Sequence, residues 1–252
     1  MSIKLVIQIP VFNEERDIEA TLEGIPNHIN GVDFIETIII NDGSTDKTVQ
    51  IIQNHNIKHR VNLPRHCGLG KAFREGLKYA YSIGADIIVN TDGDNQYPGH
   101  EIHRIIKPIL DGKADMVIGN RQFYKISGYP LWKLIFQSVA NFLVSRLLHA
   151  KIKDTTSGFR ALTRDFANIL IKKLKNDYTY TLESICLLIK KRKQISFIPI
   201  NIRYPTRKSR LITNKLFYIK DFLVTLIKYY ISISLKKQVK IVSDNIDEEI
   251  NY

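Results

Sequence analysis

The chain has 252 residues, of which 44% are hydrophobic, and this composition supports a folded core and excludes a disordered chain. Its 37 Lys and Arg outnumber 25 Asp and Glu, and the net charge of +12 suits an anionic substrate, an anionic membrane surface or nucleic acid. Two cysteines are too few for a disulfide framework, so we expect a reducing, cytoplasmic compartment. The N-terminus lacks a signal-peptide layout, and no apolar run reaches the roughly 20 residues of a membrane span.

The first 120 residues alternate short β-rich apolar runs with amphipathic segments. Such alternation predicts an α/β fold with a mainly parallel sheet and helices on both faces. The predicted strands are residues 3–9, 34–40, 57–63, 87–89 and 114–119, and the predicted helices are about 14–22, 48–53, 68–82 and 101–110.

Between residues 120 and 202 the sequence predicts three helices and one strand, joined by polar loops. Aromatic residues at helical spacing in the first helix favour core packing, with attachment to a membrane surface as the alternative. The predicted helices are 131–148, 164–174 and 181–191, and the predicted strand is 195–202, in which Pro199 indicates a sheet edge.

We expect three parts of the chain with different roles. Residues 1–212 form the catalytic domain, and a basic loop lies near its end, at 203–210. The apolar segment within 213–236 carries too many charges to span a bilayer, and we expect an amphipathic helix that lies on a membrane surface. Residues 237–252 are expected to be a mobile tail.

An acidic turn, here called the acidic elbow (residues 92–97), follows the predicted strand 87–89. Asp92 and Asp94 lie one residue apart, and Gly93 between them leaves room for a ligand to approach the backbone. Ligands bind at the carboxyl ends of strands in open α/β sheets, and Mg²⁺ takes one or two carboxylates together with substrate phosphates. The alternative interpretation is an ordinary polar turn that caps the next helix.

Two other turns carry residues suited to a nucleotide. Asp42 follows the second strand, where a carboxylate can bind a ribose or a base, although Asp-Gly is also common in plain turns. Gly68 and Gly70 open a helix, where backbone N–H groups can approach a diphosphate, although helix entry alone explains them too. Lys71 does not complete a phosphate-binding Walker loop, and the Gly-x-Gly-x-x-Gly fingerprint of dehydrogenases is absent.

Taken together, the motifs resemble those of family-2 glycosyltransferases, and most of all the dolichyl-phosphate mannosyltransferases and polyprenyl-phosphate sugar transferases. The resemblance covers about residues 3 to 215. It rests on the order of segments 10–15, 41–46, 68–72, 92–97 and 119–121, and extends to 154–160 and 209–211.

The resemblance implies a GT-A fold, a GDP- or UDP-sugar donor and Mg²⁺ or Mn²⁺. It implies metal ligation by Asp92, Asp94 and Gln96, and catalytic roles for Asp94, Arg121 and Asp154. Ser157 and Arg160 are implied on the acceptor side. The residues implied to bind the nucleotide sugar are Pro10, Phe12, Glu14, Asp42, Gly70, Lys71, Asp92, Arg207, Lys208 and Arg210.

The leading hypothesis is an inverting enzyme that transfers a hexose to polyprenyl phosphate at the cytoplasmic face of an anionic membrane. The alternative is transfer to a hydroxyl of a glycan or soluble acceptor, which requires a base, and Asp154 is the candidate. Asp154 is otherwise a loop cap or a partner of Arg160. A basic nucleic-acid-binding protein is a remote alternative, because no nucleic-acid-binding motif is present, and we expect no nucleic acid partner.

Overall fold

The computed structural model describes residues 2–55, 57–126, 129–175, 179–203 and 215–234. The strands are β1 (Lys4–Val11), β2 (Phe34–Asn41), β3 (His59–Asn62), β4 (Ile87–Asn90), β5 (Met116–Asn120), β6 (Arg160–Thr163) and β7 (Ile195–Pro199). The helices are α1 (Ile18–Glu23), α2 (Thr48–Asn54), α3 (Leu69–Ser82), α4 (Ile102–Leu110), α5 (Leu131–Leu148), α6 (Arg164–Lys173), α7 (Tyr180–Lys190) and α8 (Lys215–Ser234). Short 3₁₀ turns lie at Gly99–Glu101 and Phe123–Lys125.

The strands form one seven-stranded sheet in the order β3-β2-β1-β4-β6-β5-β7. All neighbours pair in parallel except β6, which runs antiparallel to both β4 and β5. The predicted mainly parallel sheet is confirmed, and so is the edge position of the strand that contains Pro199. Because β3, β2, β1 and β4 run in one direction, the turns that follow them meet at one end of the sheet.

Helices cover both faces of the sheet, as predicted. Residues of β1 alternate between two cores, because successive side chains of a strand point to opposite faces. Val6 packs in one core with α3, α6 and α7, whereas Leu5 and Ile7 pack in the other with α1 and α4. Burial on both faces explains the continuous apolar runs of β1, β2 and β4.

Strand β6 is absent from the sequence-based prediction. Its four residues, Arg160–Thr163, follow a polar loop and run directly into α6. The segment has no alternating pattern and is not rich in β-branched residues, so the local sequence gives no strand signal. It is a strand because it fills the space between β4 and β5, where Asn90 pairs with Arg160.

The prediction of core packing for α5 is wrong over most of its length. Only Val144 and Leu148 of this helix are buried. Its exposed apolar residues are Leu131, Trp132, Ile135, Phe136, Val139, Phe142 and Leu143. Helical spacing of aromatic residues identifies an apolar helix, but it does not specify what covers that helix.

Helix α8, like α5, exposes several apolar side chains. It contacts α5 and α7 and buries Phe222, Leu226 and Tyr229. Five other apolar residues remain exposed, namely Leu223, Val224, Ile227, Tyr230 and Ile231. None of the helices within the described stretches has both the length and the apolar character needed to cross a bilayer.

Candidate active site

The acidic elbow lies beside the turn that follows β1, as the parallel topology predicts. A Cβ atom added to Gly93 would lie 2.8 Å from Val11 Cγ1 and 3.5 Å from Glu14 Cγ, so only glycine fits this contact. The Thr21 hydroxyl of α1 donates a hydrogen bond of 3.1 Å to the Gly93 carbonyl oxygen. The carboxyl ends of β1 and β4 therefore form one continuous site.

Asp92 and Asp94 provide the oxygen ligands that a divalent cation requires. The Asp92 carboxylate packs on the Cα atom of Gly158, because a Cβ atom there would lie 2.9 Å from Oδ1 and 3.0 Å from Oδ2. Asp94 Oδ1 accepts the backbone N–H of Gln96 at 3.2 Å. Across the described residues, no group of three or more His, Cys, Asp or Glu side chains comes together. Two carboxylates completed by substrate phosphates match the preference of Mg²⁺, so these residues fit the implied ion.

Asp42 anchors the turn that opens α3. Its buried carboxylate accepts the backbone N–H groups of Cys67 at 2.7 Å and Gly68 at 2.9 Å, and it lies 2.8 Å from His66 Nδ1. The His66 ring stacks on Phe12 with 3.8 Å between ring centroids. The predicted nucleoside residues Phe12 and Asp42 are therefore joined through His66, which sequence reasoning missed because nothing in its local sequence marks it.

The other residues predicted to bind the nucleotide sugar lie around the same turns. Pro10 is buried in β1, and Gly70 is buried in the first turn of α3. The Glu14 backbone N–H donates to Thr48 Oγ1 at 2.7 Å. Lys71 forms an ion pair of 3.0 Å with Glu75 on its own helix. The structure thus places these residues near one end of the sheet, with Lys71 already engaged.

Asp154 and Arg121 form a buried ion pair. Two oxygens of Asp154 accept from Arg121 Nε at 2.8 Å and Nη2 at 2.9 Å, and Arg121 also donates to Thr156 Oγ1 at 2.7 Å. Burial disfavours the Asp154 carboxylate, but the Arg121 charge and the hydrogen bonds from Arg121 and Thr156 together outweigh burial and hold the pKa of Asp154 below its ordinary value. Asp154 is only 1% exposed, and its role as a general base stays a prediction.

The structure distinguishes the two structural alternatives for Asp154. Its partner is Arg121 and not Arg160, and the catalytic role of Arg121 stays a prediction. The loop-cap alternative is confirmed, because Asp154 Oδ1 also accepts the backbone N–H of Ser157 at 3.1 Å.

Arg160 is fully buried, and its guanidinium binds backbone carbonyl groups. Its guanidinium donates to the carbonyl oxygens of Ser157 at 2.7 Å, Thr181 at 2.8 Å and Thr155 at 3.1 Å. Burial lowers the pKa of Arg160 to about 10. In this structure Arg160 ties the 154–160 loop to α7, and its place on the acceptor side stays a prediction. Ser157 is also fully buried, and its acceptor-side role likewise stays a prediction.

Arg203 connects the acidic elbow to the predicted basic loop. Its backbone N–H donates to the Gln96 carbonyl oxygen at 2.9 Å, and its guanidinium donates to the Asn95 side chain. Sequence reasoning placed Arg203 in the basic loop without assigning it a role. The predicted phosphate-binding residues Arg207, Lys208 and Arg210 lie outside the described residues, as does the predicted tail at 237–252.

Comparisons with known proteins define the class. Residues 6–170 match the family described as Glycosyl transferase family 2, so the chain belongs to that family and is a glycosyltransferase. It is 30% identical to the UDP-N-acetylglucosamine--dolichyl-phosphate N-acetylglucosaminyltransferase of Methanococcus voltae, over 88% of this chain and 95% of that protein.

Two further comparisons support this assignment. The chain is 31% identical to the dolichol-phosphate mannosyltransferase of Pyrococcus furiosus, over 64% of this chain and 47% of that one. Its structure resembles glucosyl-3-phosphoglycerate synthase of Mycobacterium tuberculosis, solved with Mn²⁺, UDP and glucosyl-3-phosphoglycerate, with a TM-score of 0.69 and 19% identity over 90% of this chain and 79% of that one. The fold is therefore GT-A, as the sequence predicted.

We predict that Asp154→Asn lowers the free energy of unfolding by about 3–5 kcal/mol, because it leaves the Arg121 charge buried without its partner. The folded-state pKa of Asp154 lies below its unfolded value of roughly 3.9, so the stabilisation is present above that pH and is lost as pH falls through the folded-state pKa. Urea denaturation from pH 7 to pH 3 measures both effects.

Asp111→Asn is the matched control, because Asp111 pairs with Lys107 at 3.3 Å on the surface and should contribute less than about 1 kcal/mol. Equal losses of stability in the two variants would show that the buried pair has no special role.

Proposed function

We propose that the chain is an inverting glycosyltransferase that transfers a hexose from a GDP- or UDP-sugar to polyprenyl phosphate. The observation that carries this proposal is the close contact of the Asp92 carboxylate with Gly158, at the shared carboxyl ends of β1 and β4. Asp92, Asp94 and Gln96 would hold Mg²⁺ or Mn²⁺ there. The relatives named for dolichyl phosphate support the acceptor class.

The nucleotide would extend from the turns after β1 and β2 to the acidic elbow. The nucleoside binds near Phe12, Glu14 and the turn that Asp42 anchors, with Gly70 and Lys71 on the adjoining helix. The diphosphate extends from there to the acidic elbow. Arg203 at the elbow, followed by the basic residues Arg207, Lys208 and Arg210, would add charge-assisted hydrogen bonds to phosphate oxygens.

The chemistry requires charge stabilisation more than proton transfer. Cleavage of the sugar–phosphate bond leaves negative charge on the nucleoside diphosphate, and a bound cation neutralises this charge as a Lewis acid. Asp92 and Asp94 would hold the cation, and the half-buried elbow restricts water around the diphosphate. An oxygen of the acceptor phosphate attacks the anomeric carbon in line with the departing diphosphate, which inverts the configuration.

The ion pair of Asp154 supports one of the two acceptor classes. A phosphate acceptor is already anionic at neutral pH and needs no base, whereas a sugar hydroxyl does. The residue that sequence reasoning offered as a base is held by Arg121 at 2.8 Å and is buried. This arrangement favours polyprenyl phosphate over the hydroxyl of a glycan or soluble acceptor.

We predict that the purified chain with Mn²⁺ transfers sugar to polyprenyl phosphate from one of UDP-glucose, UDP-N-acetylglucosamine or GDP-mannose. Asp92→Asn should lower the rate at least about 100-fold, because the leaving group loses its charge stabilisation. Asp165→Asn, on the exposed first turn of α6, is the control and should retain full activity. Extraction of labelled lipid product measures the rate, and transfer to hydroxyl acceptors alone would refute the acceptor assignment.

We further propose that α5 and α8 attach the enzyme to an anionic membrane, where its lipid acceptor resides. The interfacial surface is defined here as the exposed apolar residues of these two helices, Leu131, Trp132, Ile135, Phe136, Val139, Phe142, Leu143, Leu223, Val224, Ile227, Tyr230 and Ile231. The side chains of Lys133, Lys220 and Lys228 are exposed on the same helices, where Asp221 is the only acidic residue. Apolar and basic residues together suit a surface of anionic lipid.

Helix α5, which carries part of the interfacial surface, is joined to the 154–160 loop by hydrogen bonds. Asn141 of α5 accepts the backbone N–H of Thr155 at 3.0 Å and its hydroxyl at 2.6 Å. Gln137 of the same helix donates to Asp154 at 3.4 Å. A membrane bound at α5 would therefore lie next to the loop that borders the acidic elbow, so a lipid phosphate can reach the site without leaving the bilayer.

We predict that replacing both Trp132 and Phe142 with Glu lowers binding to vesicles of phosphatidylglycerol and phosphatidylcholine by more than about 10-fold. Phe34→Glu is the control, since Phe34 is equally exposed but lies on β2, away from α5 and α8. Co-sedimentation at 0.1 M and 0.5 M NaCl measures binding, which should weaken at high salt. Equal binding by the double variant and wild type would contradict the membrane assignment.

A further inference from the structure

Three buried hydroxyl groups border the acidic elbow without a hydrogen-bond partner among the described residues. They belong to Tyr97, Ser157 and Tyr180, which are 4%, 0% and 2% exposed. Buried polar groups are nearly always paired in folded proteins, and an unpaired one costs free energy. Phenylalanine in place of the tyrosines, or alanine in place of the serine, would fill similar space without this free-energy cost. We therefore infer that the hydroxyl groups have a function.

The three residues approach the elbow from different elements. Tyr97 ends the elbow, and its ring stacks on Phe159 with centroids 5.0 Å apart. Ser157 precedes Gly158, whose Cα atom contacts the Asp92 carboxylate. Tyr180 begins α7, and its ring packs against Phe73 at 4.8 Å. Three separate parts of the chain therefore bring hydroxyl groups to one region.

The tyrosine hydroxyls are uncharged hydrogen-bond donors at neutral pH. Burial, followed by the negative charge of Asp92, raises the pKa of Tyr180. Arg160 donates to the carbonyl oxygens of Ser157 at 2.7 Å and Thr181 at 2.8 Å, so the start of α7 lies against the 154–160 loop that contacts Asp92. A hydroxyl that keeps its proton both donates and accepts hydrogen bonds.

We propose that Tyr180, together with Tyr97 and Ser157, binds the hydroxyl groups of the transferred hexose and so sets the choice of sugar. This inference rests on the proposed function. The hexose is bonded to the phosphate that Asp92 and Asp94 would hold through the cation, so it must lie beside the elbow. The nucleoside end of the site is at Phe12 and Asp42, and the predicted phosphate ligands are cationic. Uncharged hydroxyls beside Asp92 instead match the chemistry of sugar hydroxyls.

The chain offers a matched control within the same region. Tyr229 of α8 is also buried, but its hydroxyl donates to Glu183 Oε1 on α7 at 3.0 Å. Removing the Tyr229 hydroxyl breaks an existing hydrogen bond, whereas removing the Tyr180 hydroxyl breaks none among the described residues. Tyr180→Phe and Tyr229→Phe should therefore have opposite effects on the unliganded protein.

The test compares binding of UDP with UDP-N-acetylglucosamine, and of GDP with GDP-mannose, by calorimetry in the presence of Mn²⁺. We predict that Tyr180→Phe weakens binding of the nucleotide sugar by about 10-fold and leaves the free nucleotide within about 2-fold of wild type. Ser157→Ala should show the same selective loss. Without ligand, Tyr180→Phe should melt at or above the wild-type temperature, and Tyr229→Phe should melt below it. Tyr229→Phe should keep the wild-type preference for the nucleotide sugar over the free nucleotide.

The outcomes separate this inference from the proposed function on which it rests. If wild type binds none of these nucleotides with Mn²⁺, the proposed function fails, and the sugar-binding role fails with it. If wild type binds a nucleotide sugar but Tyr180→Phe changes neither ligand, or weakens the free nucleotide equally, only the sugar-binding role is overturned.

Discussion

The contact between the Asp92 carboxylate and the Cα atom of Gly158 is the constraint on which the site depends. It joins the elbow after β4 to the loop before β6. Side chains of the central strands hold this loop in place. Asn90 of β4 donates to the Gly158 carbonyl oxygen at 2.8 Å and accepts from Gln8 of β1 at 2.9 Å. Two polar side chains inside the central strands thus position the carboxylate that we propose as a metal ligand.

Two arginines, Arg121 and Arg160, then hold the 154–160 loop in different ways. Arg121 neutralises Asp154, whereas Arg160 carries its charge among carbonyl oxygens without a carboxylate partner in the described residues. The pairing of Asp154 with Arg121 supports the proposed phosphate acceptor, which needs no base. The same loop hydrogen-bonds to α5, so α5 and the acidic elbow contact one loop.

The sequence predicted the sheet and the elbow because these depend on local patterns. Apolar runs bounded by turns define β1, β2 and β4, and parallel topology alone places their ends together. It did not predict β6, the Asp154–Arg121 pair or the exposure of α5, because these depend on residues distant in the chain. Arg160 was the nearer partner in sequence, but tertiary structure pairs Asp154 with a residue 33 positions away.

The central claim is that the elbow, supported by Gly158, holds a divalent cation together with a nucleoside diphosphate. The most direct measurement is electron paramagnetic resonance of Mn²⁺ titrated with wild type and Gly158→Ala, with and without UDP or GDP. Wild type should bind Mn²⁺ far more tightly when one nucleotide is present, and Gly158→Ala should lose that binding, because the added Cβ atom displaces the Asp92 carboxylate. Undiminished Mn²⁺ binding by Gly158→Ala would contradict the claim.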